Sequence, residues 1–170
     1  MAELVSPAIV AAFIAGLVSL VLVQLNFRQS RRADQLRRDE RIRDFRIALR
    51  AEVRSELRNL SQYNTVSMLE EIRARYDSDP KYSVLIPRVS RHSVFEALVG
   101  EIHILPERII DPIVLYARQR QAVESLSEDM RSSSFRQLSK EQQLAMYEDY
   151  LRMWDAWRSF ATDAEKVLSE

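Results

Sequence analysis

The sequence has 170 residues, enough for one ordinary domain or for a small domain with an anchor, and its 25 Lys and Arg residues balance 25 Asp and Glu residues. This neutral charge argues against a dedicated nucleic-acid binder, which would carry a clear basic excess. Two glycines and no cysteine exclude a disulfide framework, a zinc site of the cysteine type, a thiol nucleophile and a glycine-rich phosphate loop. So few glycines and prolines also argue against a hairpin-rich β fold.

An uncharged apolar run from Ala8 to Leu25 is the most specific signal in the sequence. It reads AIVAAFIAGLVSLVLVQL, in which one serine and one glutamine are the only polar side chains. Extended to Phe27, it makes a helix of about 30 Å, the thickness of one hydrocarbon core. A buried core helix would need a larger protein around it, and a cleaved signal peptide would need Lys or Arg before the run. We therefore predict a transmembrane helix over residues 8–27.

The basic residues that flank this run all follow it. Lys and Arg near a span are retained on the cytoplasmic side, and seven arginines follow closely: Arg28, Arg31, Arg32, Arg37, Arg38, Arg41 and Arg43. We predict a single-pass protein of the cell inner (plasma) membrane, with residues 1–7 outside, a basic stalk over 28–41 and a cytoplasmic helical bundle over 42–170. The arginines could also attract anionic headgroups, by up to about 1 kcal/mol each.

One helix is expected to run unbroken from the span to about Asn64, because neither glycine nor proline occurs between Gly16 and Pro80. Residues 28–41 carry too few apolar side chains to pack a core, and acid-before-base pairs such as Asp34 with Arg38 and Asp39 with Arg43 would support the helix there. An apolar stripe then recurs about every 3.6 residues, which is typical of a helix that faces a bundle core. Its members are Ile42, Phe45, Leu49, Val53, Leu57 and Leu60.

Serines followed three residues later by Glu or Gln mark later helix starts, because the two side chains satisfy free backbone N–H groups. The pairs are Ser67 with Glu70, Ser93 with Glu96, and Ser139 with Gln142. Gly100 is placed to end the second of these helices, and Asp111 with Pro112 fits the start of another long helix. Residues 82–89, YSVLIPRV, indicate an extended loop, because Pro87 would confine a strand to an edge. The predicted fold is all-α, with three long and one or two short helices in the bundle.

The last predicted helix has the clearest amphipathic pattern of the bundle. Its apolar face consists of Leu144, Tyr147, Leu151, Trp154, Trp157, Ala161, Ala164 and Leu168. We take Tyr147, Trp154 and Trp157 as a candidate interaction face. The tryptophan pair could instead form a stacking platform for a ligand, although on such a stripe it is more often core or a contact to another helix.

One arrangement, around His103, could support metal or acid–base chemistry. On a helix, His103 and Glu107 would share a face, with Asp111 nearby. Pro106 interrupts that turn, and the Glu-x-x-His motif of di-iron bundles does not occur. His92 lies between serines, an adjacency that does not make a triad. We favour a solvated or capping role for His103 and predict no catalytic residue, metal or cofactor. The alternative is a small membrane-bound enzyme or metal protein that uses His103 with Glu107 or Asp111.

Two segments resemble small bacterial single-span membrane proteins of unassigned function. They are RSELRNLSQY and VFEALVGEIHILPERIIDPIVLYAR, together about a fifth of the chain. The resemblance rests on a Glu-Leu-x-Asn-Leu helix end, a Leu-Pro turn and a later tyrosine, which here are Glu56, Leu57, Asn59, Leu60, Leu105, Pro106 and Tyr116. It implies an anchored helical domain and names no activity.

Together these observations predict a membrane-anchored interaction or accessory protein without catalytic activity. Its expected partners are the lipid bilayer and other membrane or cytoplasmic proteins, and not nucleic acid. A second copy of the chain is an alternative protein partner. An oligomeric pore is a further alternative, although the span lacks a polar stripe. The neutral total charge is itself a sum of unlike parts, because residues 26–50 hold nine arginines and four acids, whereas residues 51–170 hold 16 basic and 20 acidic residues.

Overall fold

A computed structural model describes residues 7–79, 81–89 and 93–170 of the chain, except for the side chains of residues 7–15. Within these ranges every regular element is a helix, so the all-α prediction is confirmed. The elements are α1 (Pro7–Ser61), α2 (Thr65–Ser78), α3 (Ser93–Leu98), a 3₁₀ helix (Val99–Ile104), α4 (Glu107–Arg131), α5 (Ser133–Arg136) and α6 (Lys140–Ser169).

The chain divides into two compact units, Met1–Asp44 and Phe45–Glu170. The first unit contains the predicted span and stalk, and its backbone is helical from Pro7 onward. Every described side chain over residues 16–41 is exposed. Within the described part of the chain, no helix combines the length and the apolar character that crossing a membrane requires.

The helix predicted to run unbroken to about Asn64 is α1, which ends at Ser61. Asn64 itself begins the next helix, because its side-chain carbonyl accepts hydrogen bonds from Val66 N at 3.0 Å and from Ser67 N at 3.2 Å. The prediction that Ser67 opens α2 is therefore wrong. Asparagine three residues earlier already satisfies the free N–H groups that a serine cap would serve.

The second unit is built on the apolar stripe of α1, with two changes from the predicted set, because Ile42 is half-buried and belongs to the first unit, and Glu56 replaces Leu57. The buried residues are Phe45, Leu49, Val53, Glu56 and Leu60, whose spacings of four, four, three and four place them on one helical face. Leu57, which we predicted for this face, is half-buried. The buried position goes to a glutamate because a partner for its charge lies across the core, as described below.

Helices α4 and α6 pack against each other in the second unit. Ile109, Ile113 and Tyr116 of α4 are completely buried, as are Ala161 and Ala164 of α6. Complete burial of these side chains places them in the close-packed core of the unit.

Helix α4 starts earlier than predicted. Pro106, and not Asp111, precedes its first turn, so Pro112 lies inside the helix. Proline there removes a backbone hydrogen bond. The helix continues through it because Ile109 and Ile113, on either side, are fully buried and extending the helix by one turn lets both reach the core.

The start of α6 agrees with its predicted capping box. Gln142 N donates to Ser139 Oγ at 3.3 Å, and Ser139 N donates to Gln142 Oε1 at 3.0 Å. The two side chains thus satisfy two backbone donors reciprocally.

The region after α3 corrects a prediction. Gly100 does not end a helix in a left-handed conformation, because it lies inside the 3₁₀ helix with negative φ. A residue of another helix stabilises the start of α3. The Glu52 carboxylate of α1 accepts hydrogen bonds from Val94 N at 3.1 Å and from Phe95 N at 2.7 Å. This carboxylate satisfies free N–H groups of α3 and joins it to α1.

Residues 82–89 form an irregular segment, as predicted, and Val84 and Ile86 of this segment are buried. The Tyr76 hydroxyl fixes it by donating to Gln143 Oε1 at 2.8 Å and accepting from Val84 N at 3.3 Å. The buried hydroxyl of Tyr76 thus has both a donor and an acceptor partner, and it holds a segment that forms no regular secondary structure.

Candidate functional site

A cavity of about 220 Å³ opens in the second unit between α1, α6 and the irregular segment. We call it the aromatic cavity, because four of its ten lining side chains are aromatic rings. The lining residues are Glu56, Asn59, Leu60, Tyr63, Pro87, Arg88, Val89, Tyr150, Trp154 and Trp157.

The rings come together because α6 supplies three of them at helical spacing. Tyr150, Trp154 and Trp157 are four and three residues apart, so they share one face. The centroids of Tyr150 and Trp154 are 5.6 Å apart, and those of Trp154 and Trp157 are 6.4 Å apart. Tyr63, just after α1, meets Trp154 edge-on at 5.6 Å. Offset and edge-on contacts of this kind are the favoured arrangements of aromatic rings.

Arg158 fixes the rim of the cavity. Its Nη2 donates to the carbonyl oxygens of Leu60 and Tyr63, both at 2.8 Å. These carbonyls lie at and just after the end of α1, where backbone carbonyl groups have no N–H partner within the helix. The guanidinium therefore caps α1 and holds Tyr63 against Trp154.

Three polar groups around the cavity are unusual because they are buried without a partner. The Tyr150 hydroxyl, Trp154 Nε1 and Trp157 Nε1 have no hydrogen-bond partner among the described residues. Tyr150 and Trp157 are only 2% and 4% exposed. Burial raises the pKa of Tyr150, and a hydrogen-bonding contact with the neighbouring Trp154 indole offsets part of that rise. Most buried polar groups in folded proteins are paired. These three atoms are themselves shielded from solvent, so they belong to the packed wall of the cavity and not to its open space.

A buried charged cluster borders the cavity at Glu56. Arg120 Nε lies 3.6 Å from Glu56 Oε2, and the Tyr116 hydroxyl donates to the same oxygen across 3.5 Å. Burial, and next the charge of Glu56, raises the pKa of Tyr116 far above its ordinary value. The guanidinium thus neutralises the one carboxylate that lines the cavity.

The predicted interaction face changes in the folded chain. Tyr147 and Trp157 are 4% exposed and Trp154 is half-buried, so most of this face packs within the bundle, and Trp154 and Trp157 line the cavity whereas Tyr147 does not. Sequence reasoning missed Tyr150, although its position four residues before Trp154 could have identified it. It also missed Glu56, for which the sequence carried no signal beyond its register on α1.

The arginine cluster, Arg28 to Arg43, is exposed throughout. Asp34 pairs with Arg37 at 3.9 Å, and Arg43 pairs with Glu40 at 3.8 Å and with Asp44 at 3.7 Å. The predicted pairs, Asp34 with Arg38 and Asp39 with Arg43, are not among these contacts. Arg31 also stacks on the ring of Phe27, with its guanidinium carbon 4.3 Å from the centroid.

The alternative metal site is not assembled. His103 lies in the 3₁₀ helix and Glu107 begins α4, so the two do not share a helical turn, and both are exposed, as is Asp111. In the part of the chain that the structure describes, no cluster of three or more His, Asp or Glu side chains could hold a metal ion. His92 lies outside the described residues.

Comparison with family models, with curated proteins and with solved structures finds no match to this chain.

Proposed function

We propose that this chain is a membrane-anchored interaction protein that acts by binding and not by catalysis. Residues 8–27 would lie in lipid, and the bundle would be presented at the cytoplasmic face of a bacterial inner membrane. The observation that carries the proposal is the exposure of the apolar side chains of residues 16–27.

These side chains are large, apolar and uncovered on every side of the helix. Between Leu17 and Phe27, eight of them are 48% to 70% exposed. Burying a Val, Leu or Phe side chain is worth about 1.5–3 kcal/mol, and soluble monomers seldom expose contiguous apolar patches beyond a few hundred Å². A hydrocarbon environment would supply the missing burial, and the sequence extends the apolar run back to Ala8.

The charges after this run support the proposed orientation. All seven arginines from Arg28 to Arg43 are exposed and available to the headgroup region. Arg31 on Phe27 places a cation and an aromatic ring together at the end of the run, where interfacial residues of membrane helices gather.

The absence of cysteine makes this proposal testable by labelling. Ser6→Cys and Ser169→Cys each give the full chain one thiol, before and far after the run. In intact spheroplasts, a membrane-impermeant maleimide should label Ser6→Cys and not Ser169→Cys until the membrane is opened. Equal labelling of both thiols in intact spheroplasts, or no labelling of Ser6→Cys, would overturn the orientation.

A matched pair of double variants tests the anchor itself. Leu20→Arg/Val23→Arg places two charges within the run, each costing about 3 kcal/mol at the centre of a span, so we expect the chain to be released by alkaline carbonate. Leu36→Arg/Ile47→Arg changes residues of similar exposure, 69% and 60% against 70% and 66%, outside the run and should leave membrane retention unchanged. Release of the unmodified chain by carbonate would refute the anchor.

A further inference from the structure

We propose that a basic cleft in the second unit binds an acidic peptide segment of a protein partner. The cleft has a volume of about 660 Å³ and is named for its four cationic side chains, Lys81, Arg88, Arg131 and Arg136. The inference rests on the proposed function, in that the chain acts by binding, and it adds the chemistry of one partner. It does not depend on the anchor, because every residue of the cleft belongs to the second unit.

Three elements bring the four cations together. Lys81 precedes the irregular segment, and Arg88 lies near the end of that segment. Arg131 is the last residue of α4, and Arg136 is the last residue of α5. The Arg131 guanidinium joins two of these elements, because its Nη1 donates to the Pro87 carbonyl oxygen at 3.1 Å. Arg131 is half-buried and the other three cations are exposed, so one surface of the unit presents all four charges.

The charges of the cleft have no acid to balance them. None of the described residues that line it is Asp or Glu, and residues 80 and 90–92, outside the described ranges, include no acid. Asp79 accepts from the backbone N of Lys81 at 2.8 Å, and Asp77 pairs with Lys140 at 2.7 Å. Residues 51–170 as a whole carry more acids than bases. A cluster of like charges in an acidic unit attracts an anionic partner.

The apolar part of the cleft favours a peptide over other anions. Val84 and Ile86 are buried, and Leu85 between them is 89% exposed and lines the cleft beside the cations. A peptide with acidic and apolar side chains could cover both features, which a phosphate ion could not. Phosphate sites commonly use glycine-rich loops, and nucleic-acid bases stack on aromatic rings. The described lining of the cleft contains neither glycine nor an aromatic residue.

Fluorescence anisotropy with the full chain in a neutral detergent tests the proposal. The probe is a short fluorescein-labelled peptide of glutamate and leucine. The controls are the same peptide with glutamine in place of glutamate and a labelled single-stranded DNA of equal charge. We expect saturable binding of the acidic peptide that weakens as salt is raised, and binding of both controls at least about tenfold weaker. A control that binds as tightly as the acidic peptide, or displacement of that peptide by an equimolar amount of phosphatidylglycerol, would overturn the proposal.

A matched pair of triple variants locates the binding site. Lys81→Gln/Arg88→Gln/Arg136→Gln keeps Arg131, which holds Pro87, and should weaken the acidic peptide about tenfold, because several exposed ion pairs are lost together. The control removes two arginines and one lysine that are exposed in the same unit outside the cleft, and should leave the affinity unchanged. It is Arg58→Gln/Arg118→Gln/Lys166→Gln. Equal weakening in both triple variants, each with unchanged far-UV circular dichroism, would show that only net charge matters and would refute the cleft.

Leu85→Ala tests the apolar contact separately. It should weaken the peptide of glutamate and leucine about threefold and leave a peptide of glutamate and serine unchanged. Equal effects on the two peptides would contradict the contact. All these substitutions lie outside the apolar run, so membrane retention in alkaline carbonate should stay as in the unmodified chain. Absence of peptide binding from a chain that carbonate does not release would refute the cleft and leave the anchor standing.

Discussion

The Arg120 guanidinium and the Glu56 carboxylate form an ion pair inside the bundle, with 3.6 Å between Nε and Oε2 and less than a tenth of either side chain exposed. Arg120 belongs to α4 and Glu56 to α1, so the pair joins two long helices beside the aromatic cavity. Burying two charges costs several kcal/mol per ion, which their attraction repays only in part. The pair is therefore better understood as fixing which helix faces meet than as a source of net stability.

A comparison of a single variant with a triple variant tests this interpretation. Arg120→Met should lower the free energy of unfolding by about 3–5 kcal/mol, because it leaves Glu56 charged and buried. Replacing the whole cluster with Glu56→Leu/Tyr116→Phe/Arg120→Met should recover most of that loss. Urea unfolding followed by circular dichroism gives both values. A triple variant that is as unstable as Arg120→Met would show that the pair itself stabilises the bundle.

Two buried tyrosines with opposite hydrogen bonding form a second matched test. Tyr76 donates to Gln143 and accepts from Val84 N, whereas the Tyr150 hydroxyl has no partner among the described residues. Tyr76→Phe should cost about 1–3 kcal/mol, because Gln143 and Val84 each lose a partner. Tyr150→Phe should be neutral or stabilising. A comparable loss in both variants, measured by urea unfolding, would mean that Tyr150 is structurally satisfied.

Buried tyrosines also predict loss of stability in alkali. Burial raises the pKa of Tyr147 from 10.0 to about 12, and it raises the pKa of Tyr76, Tyr116 and Tyr150 as well. The unfolded chain then releases tyrosine protons at lower pH than the folded chain, so this stability is complete below about pH 10 and falls as pH rises through 12. Ionisation of Tyr147 alone would lower the free energy of unfolding by about 3 kcal/mol. Urea midpoints measured between about pH 8 and pH 12 should fall, and Tyr147→Phe should flatten the decline.

Local signals in the sequence predicted much of the fold, and long-range contacts account for the errors. The capping box at Ser139 and the stripe on α6 depend on neighbours within one helix. The capping box is present, and six of the eight predicted stripe residues are buried, with Leu144 and Trp154 half-buried. The start of α3 at Ser93 was predicted, but the contact from Glu52 that holds it, more than forty residues away, was not. Periodicity places Glu56 and Leu57 near the same face, and only the position of Arg120 decides which of them is buried.

The candidate site was harder to predict for the same reason. Its rings on α6 follow from helical spacing, but Tyr63 reaches them only because Arg158 caps the end of α1. Whether a buried donor is paired depends on the positions of all surrounding elements. A sequence pattern can identify Tyr150 as apolar-facing, but it cannot show that its hydroxyl lacks an acceptor.

A substitution at Gly100 can distinguish the predicted helix end at this residue from the 3₁₀ helix that the structure shows there. A glycine that ends a helix in the left-handed region would lose stability on substitution, because other residues are strained there. In the structure φ at Gly100 is not positive, and a Cβ built there meets nothing within 4 Å. Gly100→Ala should therefore stabilise the chain by about 0.4–1 kcal/mol, since alanine restricts the unfolded state more than glycine does. A higher urea midpoint with an unchanged slope is the expected result, and a lower midpoint would restore the role as helix terminator that the sequence suggested.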